Sequence, residues 1–290
     1  MNAVTLDAVE LASLCNNEHL ILLLDGGVID NVGTQLQSMD PFAQRRWTYE
    51  DTEYARDQQR GPLLVECNPQ SAALSCFLQT WSAQHAGLLI GGNGGLPALT
   101  AHWRNLRHAV LPDGKLSLFR PYDPRRLRGL LAAMQPHECD SLLGPSNWMV
   151  WRECHAGQDI WYRVSRNDAV AASPQLQPWQ ITPAQLAALA SGTEAAYLEA
   201  LTLDLLARVP GLDGLSASEA SREVWHMAED ARNLGYVHAG DMGEYIELMF
   251  CHNKRCVAPG PLNRLITDTR LPAWRRLEGA RQLLNQDVDA

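Results

Sequence analysis

The stretch "HLILLLD" at residues 19–25 constrains this chain more than any other, because it sets five large aliphatic residues side by side. A run that is apolar at every position and this short suits a strand covered on both faces. Similar runs follow at "GPLLVEC" (61–67), "AGLLIGG" (86–92), "KLSLFR" (115–120) and "DIWYRVS" (159–165). Strands of this kind need helices packed on each side of their sheet, so the segments between them should be helical.

Those segments carry helical spacing. In "NPQSAALSCFLQTWSAQH", Asn68 is placed as a cap and Pro69 at the first helical position, and Leu74, Phe77, Leu78 and Trp81 recur at i, i+3, i+4 and i+7. A second helix starts at Pro97, carries Leu99, Trp103, Leu106 and Val110, and ends before the "PDGK" turn. The alternation reads as an α/β lobe with a mainly parallel sheet flanked by helices. The composition then shifts to small residues and three prolines in "VAASPQLQPWQITPAQ", a linker signal, and no strand pattern follows it. Thr182 and Pro183 open a helix, and Pro210 and Gly211 end the helical pattern. Ser216 and Glu219 have capping-box spacing, Gly235 is a stop, and two further helices follow. The expected division is an α/β domain over 1–175 and an all-α lobe over 176–290.

With 290 residues, 46% of them hydrophobic, the chain can bury a full core. Its formal charge of −9 argues against nucleic acid or an anionic membrane as the main partner, since both reward a basic face. "MNAVTLDAVELASLC" lacks the basic start and apolar core of a signal peptide, and "LILLL" is far too short to span a bilayer. Seven scattered cysteines fit reduced thiols. A cytoplasmic location is expected.

Chemistry is sparse. The loop "GGNGG" (91–95) between a strand and a helix suggests a phosphate cradle, which keeps open a phosphate- or nucleotide-binding α/β enzyme. It lacks the Lys-Ser/Thr of a P-loop and the spacing of a dinucleotide turn, so a tight turn or close packing is the other reading. Cys251, His252 and Cys256, and the group His137, Cys139, Cys154 and His155, lack paired metal-ligand spacing. No nucleophile elbow or zinc-protease motif is present. No catalytic residue, metal or cofactor is assigned, and the expectation is a protein that is not an enzyme.

The informative segment is "KLSLFRPYDPRRLRGLLAAMQ". Pro121 holds Arg120 extended, Asp123 can cap the next helix, and Pro124 sits at its first position. Leu127, Leu130, Leu131 and Met134 form one apolar face. Arg125, Arg126 and Arg128 crowd the start of this helix, where the macrodipole disfavours cations, so something must compensate them. In a parallel sheet, Asp25 and Glu66 would end at the same edge as Arg120 and offer it a carboxylate. The helix arginines are either solvated or turned towards an acidic or carbonyl-rich partner.

"LFRPYDPRRLRGLL" followed by "LLGPSNWMVW" resembles the effector chaperone (adaptor) family of bacterial type VI secretion. That family shows an arginine, an aromatic pair and Asp-Pro-Arg between strand and helix, then a Gly-Pro turn. "LILLLDGG", "GPLLVEC" and "LTAHWRNLRHAVLPDGK" also fit, and the likeness covers roughly residues 19–153. The matching positions are Asp25, Gly26, Arg120, Tyr122, Asp123, Pro124, Arg125, Gly144 and Pro145. Pro121 stands where an aromatic is usual, and "IGGNGG" is richer in glycine than the pattern. The resemblance implies a role without catalysis: holding a cognate secreted effector and loading it onto the spike protein. On that reading Arg125, Arg126, Arg128, Trp148 and Trp151 are candidate partner-binding residues.

Overall fold

The computed structural model describes residues 3–16, 19–92, 94–155, 158–167, 178–209, 215–256 and 258–286. The first half of the proline-rich linker segment, residues 170–177, lies outside the described residues. Packing divides the chain into two units, one of residues 1–154 and 158–193, the other of residues 155–157 and 194–290.

The first unit holds a seven-stranded sheet. Its strands are β1 (Val4–Leu6), β2 (Leu20–Asp25), β3 (Arg45–Trp47), β4 (Pro62–Cys67), β5 (Gly87–Gly91), β8 (Trp148–His155) and β9 (Gln158–Ser165), in the order β1-β9-β8-β5-β2-β4-β3. A second sheet, ordered β10-β6-β7, joins β6 (His108–Val110), β7 (Leu116–Leu118) and β10 (Trp179–Gln180). Its helices are α1 (Ala8–Cys15), α2 (Val32–Met39), α3 (Ala72–Cys76), α4 (Gly95–Asn105), α5 (Pro124–Ala132) and α6 (Pro136–Leu143), with the opening turns of α7 (Pro183–Arg208).

The all-apolar strand β2 feeds two cores by simple alternation. Ile21 and Leu23 join Leu88, Ile90, Met149 and Trp151 beneath α4, α5 and α6. Leu20, Leu22 and Leu24 point the other way, to Val32 and Leu36 of α2, Leu74 of α3, and Phe77 and Trp81 in the π turn that continues α3. Each fully buried leucine contributes about 2 kcal/mol. Four such leucines together with Ile21 make β2 the spine of the unit.

The mainly parallel sheet expected from strand-helix alternation is wrong. β2 runs antiparallel to both neighbours, with Leu22 opposite Val65 on one side and Leu89 on the other, and β3–β4, β5–β8 and β1–β9 are antiparallel too. Within the second sheet only β10–β6 is parallel. The reason is topological. β4 and β5 do run in the same direction and are joined through α3, as a helical crossover requires. The strand between them is β2, laid down earlier in the chain and pointing the other way. An apolar run reports that both faces are covered and says nothing about direction.

The second unit is helical, formed by the later part of α7 with α8 (Ala217–Asn233), α9 (Ala239–Cys256), α10 (Pro261–Ile266) and α11 (Ala273–Gln286). Ser216 caps α8 through the Glu219 N–H, and the Glu219 carboxylate returns to the Ser216 N–H. Gly235 takes the left-handed conformation after α8, with φ +83°. Val224, Ala228, Tyr236, Ile246 and Leu277 fill the core. Arg276 is buried there, donating to the carbonyl oxygens of Leu234 (2.9 Å) and Ile266 (3.1 Å), which end α8 and α10, with its guanidinium 4.1 Å from the centre of the Tyr236 ring.

Candidate functional site: a charge knot beside an apolar groove

The turn between β7 and α5 gathers the charged residues. The Arg120 guanidinium pairs with the buried Asp25 carboxylate and donates through Nε to the Tyr122 hydroxyl at 3.0 Å. Asp25 also accepts the Gly27 N–H at 2.8 Å. Burial lifts the Asp25 carboxyl above its ordinary value, against the pull of Arg120 and that N–H. Burial pushes the Tyr122 phenol well up as well, so it stays a neutral hydroxyl. Gly26 lies where a β-carbon would strike the carbonyls of Gln59 and Gly61. Glu66 takes no part: the antiparallel register sets it opposite Ile21, at the far end of β2 from Asp25.

Two acids inside the fold, Asp123 and Glu153, face the three arginines at the start of α5. Asp123 caps the helix, accepting the Arg125 N–H at 3.1 Å, and Pro124 occupies the first helical position, buried. The same carboxylate takes a two-pronged bond from Arg125, at 2.8 and 2.9 Å, and a longer contact from Arg126 at 3.5 Å. Arg128 reaches a different acid, Glu153 on β8, at 3.0 Å, and lies over the Tyr162 ring. Glu153 is buried and accepts the Trp151 indole N–H at 2.8 Å. Nothing in the sequence spacing marks Glu153 as Arg128's partner, because β8 reaches it through the sheet.

The remaining candidates fall elsewhere. Trp151 is fully buried, its ring stacked 5.8 Å from Tyr162, so it belongs to the core. Trp148 is partly covered and lies against Gly91, where a β-carbon would land on its indole. Gly144 ends α6 with φ +59°, its bare face against the His102 ring. Pro145 fills the space beside Gly94, and Gly92, at φ +147°, sits against Asn147. The glycines at 91, 92 and 94 thus let the strand-to-helix turn nest on the Gly-Pro turn, tied by the Asn147 N–H to the Gly91 carbonyl at 2.9 Å. Asn93 lies outside the described residues.

Among the described residues, no group of three or more His, Cys, Asp or Glu could hold a metal ion. The Cys67 thiol is pushed up to about 12 by burial, so it is no thiolate nucleophile. Among the described residues, no helix is long and apolar enough to cross a membrane.

Beside the charge knot lies a groove of about 320 Å³. Leu118 and Phe119 form one side, Leu186, Leu189 and Ala190 of α7 the other, and the Arg120 and Arg126 side chains reach its rim. Two glycines let α7 approach α5 closely: Gly129 lies under the Ala188 carbonyl, and Gly192 against the backbone of Arg125 and Arg126.

A family model described as a domain of unknown function (DUF4123) matches residues 20–141. The matched span begins at β2 and includes Asp25, Arg120, Tyr122, Asp123 and the three arginines of α5, and it stops before Gly144 and Pro145. No curated protein and no solved structure matches the chain.

Proposed function

We propose that this protein is a bacterial adaptor of type VI secretion, a chaperone without catalytic activity that binds a cognate effector in the cytoplasm and helps load it onto the spike protein. The observation that carries this reading is the overlap of two matches on one stretch of the chain. The segment that resembles effector chaperones, from "LILLLDGG" to "DPRRLRGLL", is also the segment matched by the family model. The geometry is compatible with it: the motif residues form a satisfied scaffold of ion pairs and a helix cap, as expected of groups that shape a binding surface. The nucleotide-binding enzyme is not favoured: Gly91, Gly92 and Gly94 pack against residues 145–148, and the described lining of the cavity of about 510 Å³ beside Gly92 and Gly95 holds Glu66 and no lysine or arginine.

The test is co-expression with the toxin encoded beside its gene. The toxin should be soluble and co-purify with this chain, and its secretion should fall when the chain is deleted. A toxin equally soluble and equally secreted without it would overturn the reading.

A further inference from the structure

Among the described residues, no strand pairs with the outer side of β7, which ends the three-stranded sheet. Its ladder to β6 is set by the Leu111 N–H on the Lys115 carbonyl (2.9 Å) and the Phe119 N–H on the Arg107 carbonyl (2.8 Å), with Ser117 opposite Ala109 between them. Antiparallel bonding repeats every second residue, so residues 115, 117 and 119 face β6 and the backbone groups of Leu116 and Leu118 face outward. Their side chains are 59% and 45% exposed. Open edges usually carry charge or proline to discourage pairing. Here Lys115 and Pro121 flank the edge and leave its centre apolar.

The groove lies behind this edge. On α7, Leu186, Leu189, Ala190 and Thr193 recur at i, i+3, i+4 and i+7, the spacing of a face that wants a partner, and Leu186 is 40% exposed. The groove's charge is one-sided. In a chain of net charge −9, none of the described residues lining it is acidic, while two are arginines. Arg120, Arg125 and Arg126 share Asp25 and Asp123, and Arg125 already takes both oxygens of Asp123. One positive charge is left over at the rim.

We propose that β7 and this groove receive an extended apolar segment of another protein that carries a carboxylate. The segment adds as a strand to β7 through the backbone of Leu116 and Leu118. It buries an aliphatic side chain between Leu118 and Leu186 and sets its carboxylate against Arg120 and Arg126. The proposal rests on the groove's chemistry and does not require the secretion reading.

The experiment selects displayed random peptides on the purified full chain, then measures a selected synthetic peptide by calorimetry and by hydrogen exchange. The peptides should alternate apolar residues and carry Asp or Glu, and binding should slow exchange at the Leu116 and Leu118 amides at least tenfold. Leu118→Asp and Arg126→Glu should each weaken binding tenfold or more, and replacing the peptide's acidic residue with lysine should restore binding to Arg126→Glu. Circular dichroism of both variants checks that they fold, and Leu186→Asp is the second apolar variant. Basic peptides, a helical bound peptide, unchanged exchange at β7, or binding undiminished in both the Leu118→Asp and Leu186→Asp variants would overturn the assignment. So would a dimer of this chain that Leu118→Asp dissolves, which would give the edge to self-pairing. A chain that fails these tests yet still solubilises its neighbouring toxin would lose the groove and keep the adaptor role.

Discussion

The two units bury charge in opposite ways. In the sheet unit, buried carboxylates meet guanidiniums: Asp25 with Arg120, Asp123 with Arg125, Glu153 with Arg128. In the helical unit, the buried Arg276 spends its hydrogen bonds on carbonyls at the ends of two helices. Two of these pairs, Asp25–Arg120 and Glu153–Arg128, join segments far apart in sequence, while Asp123 and Arg125 are two residues apart and fix the turn itself. The second arrangement gathers helix ends, where unpaired carbonyls and the negative end of the dipole are already present. A sheet with reversed strand directions needs address labels, whereas a helix bundle needs caps.

The sharpest way to break this contrast is steric. Gly91→Val should drive a side chain into Trp148 and separate the two nested turns, costing about 3 kcal/mol in denaturant titration. The equivalent shock to the helical unit is Arg276→Met. It keeps the apolar stem but leaves the Leu234 and Ile266 carbonyls unpaired, and should cost about 2–3 kcal/mol. Asp25→Ala should cost about 2 kcal/mol, less than a fully buried pair would, because Arg120 is partly solvated. Asp123→Ala removes a cap and should cost about 1 kcal/mol. Reversing the order of Asp25→Ala and Asp123→Ala in a melting series would show that the cap, not the Asp25–Arg120 pair, anchors this turn.

The smallest effect is a pH dependence. Burial lowers the His102 pKa below its ordinary 6.5, while its Nε2 hydrogen bonds to the Leu142 carbonyl at 2.8 Å. As pH falls below 6.5 the unfolded chain takes up a proton that the folded chain refuses, so stability falls with pH until the folded histidine also titrates. His102→Gln keeps an N–H donor and should remove that slope. Hydrogen exchange should show the loss at α4 and α6. His102 lies in the other unit, so the amides of α8 and α10 should not follow it.

What was legible in the sequence was coverage. The apolar stripe Leu127, Leu130, Leu131 is buried on α5, with Met134 buried just past its end, and the five aliphatics of β2 are buried on both faces. Strand direction was not legible, because it depends on which strand slips between β4 and β5, a long-range choice that leaves no local pattern. The three-residue strands β1, β3 and β6 are too short to show alternation. The cap of α3 is Ser71, three residues beyond Asn68, whose side chain instead turns back on the Gln70 N–H at 2.9 Å. Glu153, the acid that holds Arg128, sits in "WRECH" with no helical spacing to the arginine; only the sheet brings them together. The groove was hidden for the same reason, being made by β7 and a helix that begins after the proline-rich stretch.

The order of the large sheet has a consequence in time. Val4 of β1 pairs with Arg163 of β9, and β2 lies between β4 and β5. During synthesis the leucines of β2 emerge well before either neighbour exists, and β1 waits longer still, until β9 has left the ribosome. Closing contacts so distant along the chain is slow, and in the interval a bare aliphatic strand is exposed to other nascent chains. A protein proposed to shelter another's apolar segment therefore passes through a stage in which its own first strands need shelter, and its yield should depend on the cell's general folding helpers more than its final stability would suggest.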